Sequence, residues 1–208
     1  PSGNYIPYGD LMQLIEWSQQ RGITFIVDES FVDFVDVEGE FSLLKNDILV
    51  ANPHLCVVKS ISKSYGGPGF RLGILASGNK EIIAELKREV AIWNINSFGE
   101  FYMQIYEKYH KEYLKACELF RQERKLFYDE LQQIPYLHVI PSQANYFLCE
   151  ITGGKLSARE LAVRLLADHN ILIKDCSTKA AFNNRNYIRL AVRDRKDNHK
   201  LTEALKLY

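Results

Sequence analysis

Ser60-Ile61-Ser62-Lys63-Ser64-Tyr65-Gly66-Gly67-Pro68-Gly69-Phe70-Arg71-Leu72-Gly73 is the stretch whose reading decides the fold. A lysine amine can attack a carbonyl, and does so more readily where burial or a nearby cation disfavours its charged form. Ser60 and Ser62 offer hydroxyls, and Arg71 offers a planar fork that suits two phosphate oxygens. Gly66, Gly67 and Gly69 permit tight turns and close approach of backbone to a ligand, while Pro68 restricts the loop. Any one of these residues is ordinary in a surface turn. Together they supply an anchor for an aldehyde and a cradle for a phosphate, and they lead us to expect Lys63 partly buried beside Arg71.

Working upstream, Ile23-Thr24-Phe25-Ile26-Val27 is a short apolar, β-branched run that ends in Asp28-Glu29. Such a run reads as a buried parallel strand. In open α/β sheets ligands bind beyond the carboxyl ends of strands, which is where Asp28 emerges. A carboxylate there can pair with a protonated pyridine nitrogen. Taken alone, an acid at a strand end more often caps a turn. A magnesium carboxylate of the ATPase kind would need a G-x-x-x-x-G-K-[ST] loop, which the chain lacks. Asp28 and the lysine motif together point to pyridoxal 5'-phosphate (PLP) as the cofactor.

Further matching segments are Pro1-Ser2-Gly3-Asn4, Trp93-Asn94-Ile95-Asn96-Ser97, Ala144-Asn145-Tyr146-Phe147 and Tyr187-Ile188-Arg189-Leu190-Ala191-Val192. In this order, and over essentially the whole chain, the sequence resembles the fold-type I PLP enzymes. The resemblance is to class I/II aminotransferases of the histidinol-phosphate aminotransferase group. It implies an α/β fold. Residues 1–110 would be part of a PLP-binding large domain, a mostly parallel sheet with helices. Residues 111–208 would hold a linking helix and a small α+β C-terminal domain.

The resemblance also implies roles. Lys63 would form the Schiff base and shuttle the substrate Cα proton. Asp28 would hold the pyridine nitrogen, and Ser60, Ser62 and Arg71 the cofactor phosphate. Phe31 stands where the family usually has a tyrosine that donates to the cofactor's 3′ oxygen. Phenylalanine at this place also occurs in the related threonine-phosphate decarboxylases, and Ile173-Lys174-Asp175-Cys176-Ser177 looks closer to that branch. Arg189 would grip the substrate α-carboxylate, which a bidentate guanidinium suits. By alternation alone, an outward charge on an edge strand is an equal reading.

In the family an asparagine would immediately precede Pro1. Further upstream would lie a glycine-rich phosphate turn, a ring-stacking aromatic and an aromatic lent to the partner subunit. Three functions follow from this reading. The first is aminotransfer on an amino acid or amino-phosphate substrate. The second is decarboxylation of the threonine-phosphate type, and the third is a fragment that folds without catalysing. A cytoplasmic homodimer is implied.

Composition narrows the alternatives. With 47% hydrophobic and 25% charged residues over 208 positions, the chain has the make-up of a soluble globular protein. A formal net charge of zero leaves no basic footprint for nucleic acid or anionic membrane. Cys56, Cys117, Cys149 and Cys176 are widely spaced and read as free thiols in a reducing compartment. No signal sequence or long apolar span is evident. The five histidines make no metal-ligand spacing and no G-x-S-x-G turn is present, so no metal site or hydrolase is expected.

Along the chain, Pro7 opens a helix whose stripe of Leu11, Leu14 and Ile15 runs up to Gly22. A polar loop with Asp36, Glu38, Gly39 and Glu40 follows the first strand. Residues 55–59 and 72–77 read as two more buried strands flanking the lysine motif. Gly78-Asn79 starts a helix through Arg88, and Ser97 with Glu100 forms a capping box. A long helix from Ile105 to Leu131 carries Tyr109, Tyr113, Cys117, Phe120 and Phe127 as a packing face. After Pro135 come strands over 137–140 and 146–151, a helix over 158–169, strands over 171–174 and 187–192, and a helix over 198–206. Thr152-Gly153-Gly154, Lys155 and Asn183-Asn184-Arg185-Asn186 are turn material.

Overall fold

The computed structural model describes residues 2–37, 41–153, 155–179, 182 and 185–208. Pro1, Glu38, Gly39, Glu40, Gly154, Asn183 and Asn184, all named above, lie outside the described residues. The chain divides into two units, residues 6–117 and residues 1–5 with 118–208.

In residues 6–117, α1 (Tyr8–Gln20) lays Leu11 and Ile15 against Ile48 of α2 (Asn46–Ala51) and Leu55 and Val57 of β2 (Leu55–Ser60). β1 (Phe25–Asp28) lies parallel to β2, with Asp28 opposite Val58. β3 (Gly73–Ser77) lies antiparallel on the other side of β2, with Gly73 opposite Ser60. The connection between β2 and β3 is therefore the lysine motif itself.

Neither β1 nor β3 is the buried strand its apolar run suggested. Side chains alternate across a sheet, and the core with α1 and α2 takes in only the face that carries Phe25, Val27, Leu55 and Val57. On the opposite face Ile26 is 66% exposed and Leu75 41% exposed. A run of apolar residues shows that both faces can be covered; whether they are depends on what packs there.

α3 (Lys80–Glu89) begins where expected, the Asn79 side chain accepting from the Glu81 and Ile82 amides. α4 (Ser97–Ile105) is capped differently from expectation. Asn96, one residue earlier than Ser97, accepts from the Gly99 amide at 2.9 Å. Asparagine and serine are comparable caps, and Asn96 has a second bond, donating to the Phe70 carbonyl at 2.9 Å. That bond ties the start of α4 to the lysine motif, and the Ser97–Glu100 box does not form. The long helix expected from Ile105 starts at His110, because a 3-10 turn over Tyr106–Tyr109 separates α4 from α5 (His110–Leu131).

In residues 118–208, β4 (Leu137–Ile140), β5 (Tyr146–Ile151), β6 (Lys174–Asp175) and β7 (Tyr187–Ala191) form an antiparallel sheet in the order β4-β5-β7-β6. Phe127 and Leu131 of α5 share its core with Phe147, Ile188, Leu161 of α6 (Ala158–His169) and Leu205 of α7 (Arg195–Leu205). A reciprocal capping box, Ser157 with Glu160, starts α6.

The strand expected over 171–174 begins only at Lys174. Asn170 closes α6 in the left-handed region and the Ile171 amide bonds back to the Leu165 carbonyl, so these residues serve the helix end. α7 starts at Arg195 instead of Asn198, because Asp194 caps it through the Asp197 amide at 2.8 Å. Asn198 is instead buried and donates to Glu123 at 2.8 Å. All four cysteines are buried and free. Among the described residues no helix is long and apolar enough to cross a membrane.

Candidate cofactor site

The ends of β1 and β2 are joined by one serine. Asp28 accepts from the Ser30 amide at 2.9 Å, a local turn that aspartate favours. The Ser30 hydroxyl oxygen in turn accepts from the Ser60 amide at 3.0 Å. Asp28 and Ser60 thus sit at neighbouring strand ends in a fixed register. Glu29 serves the fold. It is buried, and its carboxylate accepts from the Ser42 hydroxyl at 2.7 Å and the Leu43 amide at 2.6 Å. Phe31, half-buried, leads into a 3-10 turn over Val32–Phe34.

Beyond Ser60 the chain turns back toward β3. The Ile61 amide donates to the Leu72 carbonyl at 3.0 Å and the Lys63 amide to the Ser60 carbonyl at 3.2 Å. The Ser62 hydroxyl lies 3.5 Å from the Leu72 carbonyl. Pro68–Phe70 forms a 3-10 turn with proline at its start. A Cβ at Gly67 would lie 2.6 Å from the Phe70 ring, so only glycine lets that ring fold over the turn. Arg71 takes a left-handed φ of +59° and donates to the Pro68 carbonyl at 3.1 Å.

Ser60, Ser62 and Arg71, with Leu72 and neighbouring residues of β2 and β3, line an open depression of about 430 Å³. The structure therefore gathers the three residues expected to bind phosphate. Asp28 and Lys63 stand outside that lining. The Lys63 side chain is exposed and makes no ion pair or side-chain hydrogen bond among the described residues. The partial burial expected for it is not met. Two hydroxyls and a guanidinium are the donor set a phosphate monoester requires; with an accessible amine close by in the same hairpin, these residues fit PLP. Arg71→Ala is expected to weaken PLP binding about tenfold or more, since a charge-assisted hydrogen bond is worth about 1.5–3 kcal/mol. Equilibrium dialysis against PLP measures it, and Arg71→Lys should recover part of the loss.

Arg189 belongs to the second unit. β7 is an interior strand, and Arg189 lies opposite Leu148 on one side and Lys174 on the other. This removes the edge-strand alternative. The half-buried guanidinium stands 5.0 Å from the centroid of the Tyr146 ring, a cation–π arrangement. Burial pushes the Tyr146 phenol above its ordinary value, and the nearby Arg189 charge pulls it back in part.

A second lysine escaped the sequence reading. Leu55, Val57 and Lys59 alternate onto one face of β2, so Lys59 points with the core residues and is only 7% exposed. Its ammonium pairs with Asp33 at 2.6 Å, and the Tyr113 hydroxyl donates to the other Asp33 oxygen at 2.9 Å. Burial, ahead of the bond with Cys117 and the Asp33 charge, pushes the Tyr113 phenol well above its ordinary value. The available signal was a lysine at an inward strand position, which requires a buried anion.

The model of the family described as Aminotransferase class I and II matches residues 1–205. Threonine-phosphate decarboxylase of Salmonella typhimurium is 32% identical over 209 residues, covering 99% of this chain and 54% of that enzyme. A decarboxylase from Sulfurospirillum multivorans superposes with a TM-score of 0.87 at 28% identity, over 100% of this chain and 52% of that one. A histidinol-phosphate aminotransferase from Clostridium acetobutylicum superposes at 0.85 with 29% identity, over 99% and 60%. The chain spans about half the length of the curated relatives it matches, or less. The matched fold and family model agree, and the chain belongs to the class I and II aminotransferase family of fold-type I PLP-dependent enzymes.

Proposed function

We propose that this chain is the lysine-bearing part of an enzyme that uses PLP to transform an amino acid or amino-phosphate substrate at its Cα. The observation that carries this reading is the depression lined by Ser60, Ser62 and Arg71 in the hairpin that presents Lys63. When bound, PLP supplies the electron sink for the bond broken at Cα. The chain's own residues do the rest. Ser60, Ser62 and Arg71 hold the phosphate and so orient the group. Asp28, as an exposed carboxylate at a strand end, pairs with its ring nitrogen. The Lys63 amine anchors it and then carries protons at the substrate Cα. Arg189 holds the substrate carboxylate.

Of the two reactions, loss of CO₂ is the one the chain's residues favour. Phe31 places a ring without a hydroxyl where the aminotransferase pattern has a tyrosine. The relatives named a threonine-phosphate decarboxylase and an L-serine phosphate decarboxylase are 32% and 27% identical. In this reaction the bond from Cα to the carboxylate breaks, CO₂ leaves and Lys63 delivers a proton to Cα. Aminotransfer, the leading expectation from sequence, is the second reading. The family description and the Clostridium acetobutylicum structure support it.

The test has two parts. The intact protein is incubated with PLP and reduced with borohydride, and the modified peptide is mapped; modification at Lys63 is expected, and its absence removes the reading. O-phosphothreonine and O-phosphoserine are then supplied. CO₂ with an amine product marks decarboxylation, whereas a keto acid marks aminotransfer. A homodimer belongs to the same proposal and is checked by sedimentation.

A further inference from the structure

Tyr65 stands two residues beyond Lys63 in a conformation that needs explaining. Its φ is +59°, and the next residue, Gly66, has +64°. Glycine adopts that region freely, whereas a residue with an aromatic side chain is held there only when its surroundings over-determine it. Tyr65 is held at both its ring and its carbonyl. The ring stacks on Tyr113 with centroids 4.1 Å apart and meets the edge of Tyr106 at 5.4 Å. The Lys59 ammonium lies 5.7 Å from its centroid. The Tyr65 carbonyl accepts from the Tyr102 hydroxyl at 2.5 Å.

The slot that receives the ring is itself fastened. Tyr113 donates to Asp33, and Asp33 is paired with Lys59, so the aromatic wall is tied to the end of β2. β2, α4, α5 and two 3-10 turns thus converge on one residue of the lysine hairpin. Among the described residues Lys63 lacks such support, with an exposed side chain and one backbone bond, 3.2 Å from its amide to the Ser60 carbonyl. A four-carbon side chain can present its amine reproducibly only if its Cα is fixed.

We infer that Tyr65 is a positioning residue: its ring, locked between Tyr113 and Tyr106, fixes the turn from which Lys63 reaches PLP. This rests on the reading of Lys63 as the anchor of the cofactor. The ring and its left-handed backbone do the holding. Phenylalanine should therefore replace it, and leucine should not.

The experiment compares wild type, Tyr65→Phe and Tyr65→Leu in the intact protein. Two quantities are read: the rate at which PLP becomes borohydride-fixable at Lys63, and hydrogen exchange of the 62–67 amides without PLP. Tyr65→Phe is expected to match wild type. Tyr65→Leu is expected to slow fixation at least about tenfold, because a small misplacement of a reacting group carries costs of that order, and to speed exchange in the turn. Non-covalent PLP affinity, measured in the Lys63→Ala background, should change less than about twofold on adding Tyr65→Leu, since the phosphate donors lie elsewhere. Fixation of Tyr65→Leu at the wild-type rate overturns the inference, as does an equal loss in Tyr65→Phe. Should Tyr65→Leu not fold, Tyr102→Phe, which removes only the bond to the Tyr65 carbonyl, must slow fixation and speed exchange; a wild-type result there also overturns it. Absence of any fixation at Lys63 in wild type is the distinct outcome that removes the parent reading.

Discussion

Lys63→Ala is expected to abolish borohydride-fixable PLP and to lower turnover of the intact enzyme by at least about 10⁴-fold. The size follows from the two roles proposed for one amine, the covalent anchor and the carrier of the Cα proton. No other described lysine can substitute from this hairpin, since Lys59 is only 7% exposed and paired to Asp33. Stability should hardly change. The Lys63 side chain is exposed and has no ionic partner among the described residues, so truncation should stay within about 0.5 kcal/mol. Peptide mapping after reduction, substrate turnover and a urea midpoint together test this. Retention of PLP fixed at another residue would remove Lys63 from the centre of the site.

The lysine four positions earlier should behave in the opposite way. Lys59→Ala is expected to destabilise the protein by about 3–5 kcal/mol, the cost of stranding a buried charge. Among the described residues Asp33 would keep only the Tyr113 hydroxyl, at 2.9 Å, to offset its carboxylate. Both partners are largely shielded, with side chains 7% and 13% exposed, so screening by water and salt moderates the effect little. Lys59→Met combined with Asp33→Leu should recover much of the loss, because apolar replacement of a whole buried pair is often neutral. Urea denaturation of the singles and the double measures the pair. An Ala variant as stable as wild type would show that the ion pair contributes nothing.

The contrast between these lysines shows where local reading succeeds. The hairpin was legible because its determinants are neighbours in the chain: hydroxyls, glycines, proline and arginine within fourteen residues, 60–73. Ser60, Ser62 and Arg71 were grouped from sequence, and they line one depression. Asp28 was legible for a similar reason, as the polar end of an apolar strand. The cap of α4 was missed by one residue, since Asn96 and Ser97 are locally equivalent. The deciding bond goes to Phe70, 26 positions away.

The amino-acid sequence by itself determined the order of elements apart from α2, the two strands flanking the Lys63 motif, and the residue types suited to a phosphate and an aldehyde. These depend on period, turn chemistry and spacing, which a short window contains. Only the tertiary structure decided which lysine is buried, which face of the β1–β3 sheet is covered, and how Tyr65 is held. Lys59 meets Asp33 across 26 residues and Tyr113 meets Asp33 across 80, so the pairing depends on strands and helices brought together by packing. A buried charge takes whichever partner the fold supplies, and a turn is as rigid as the elements that converge on it.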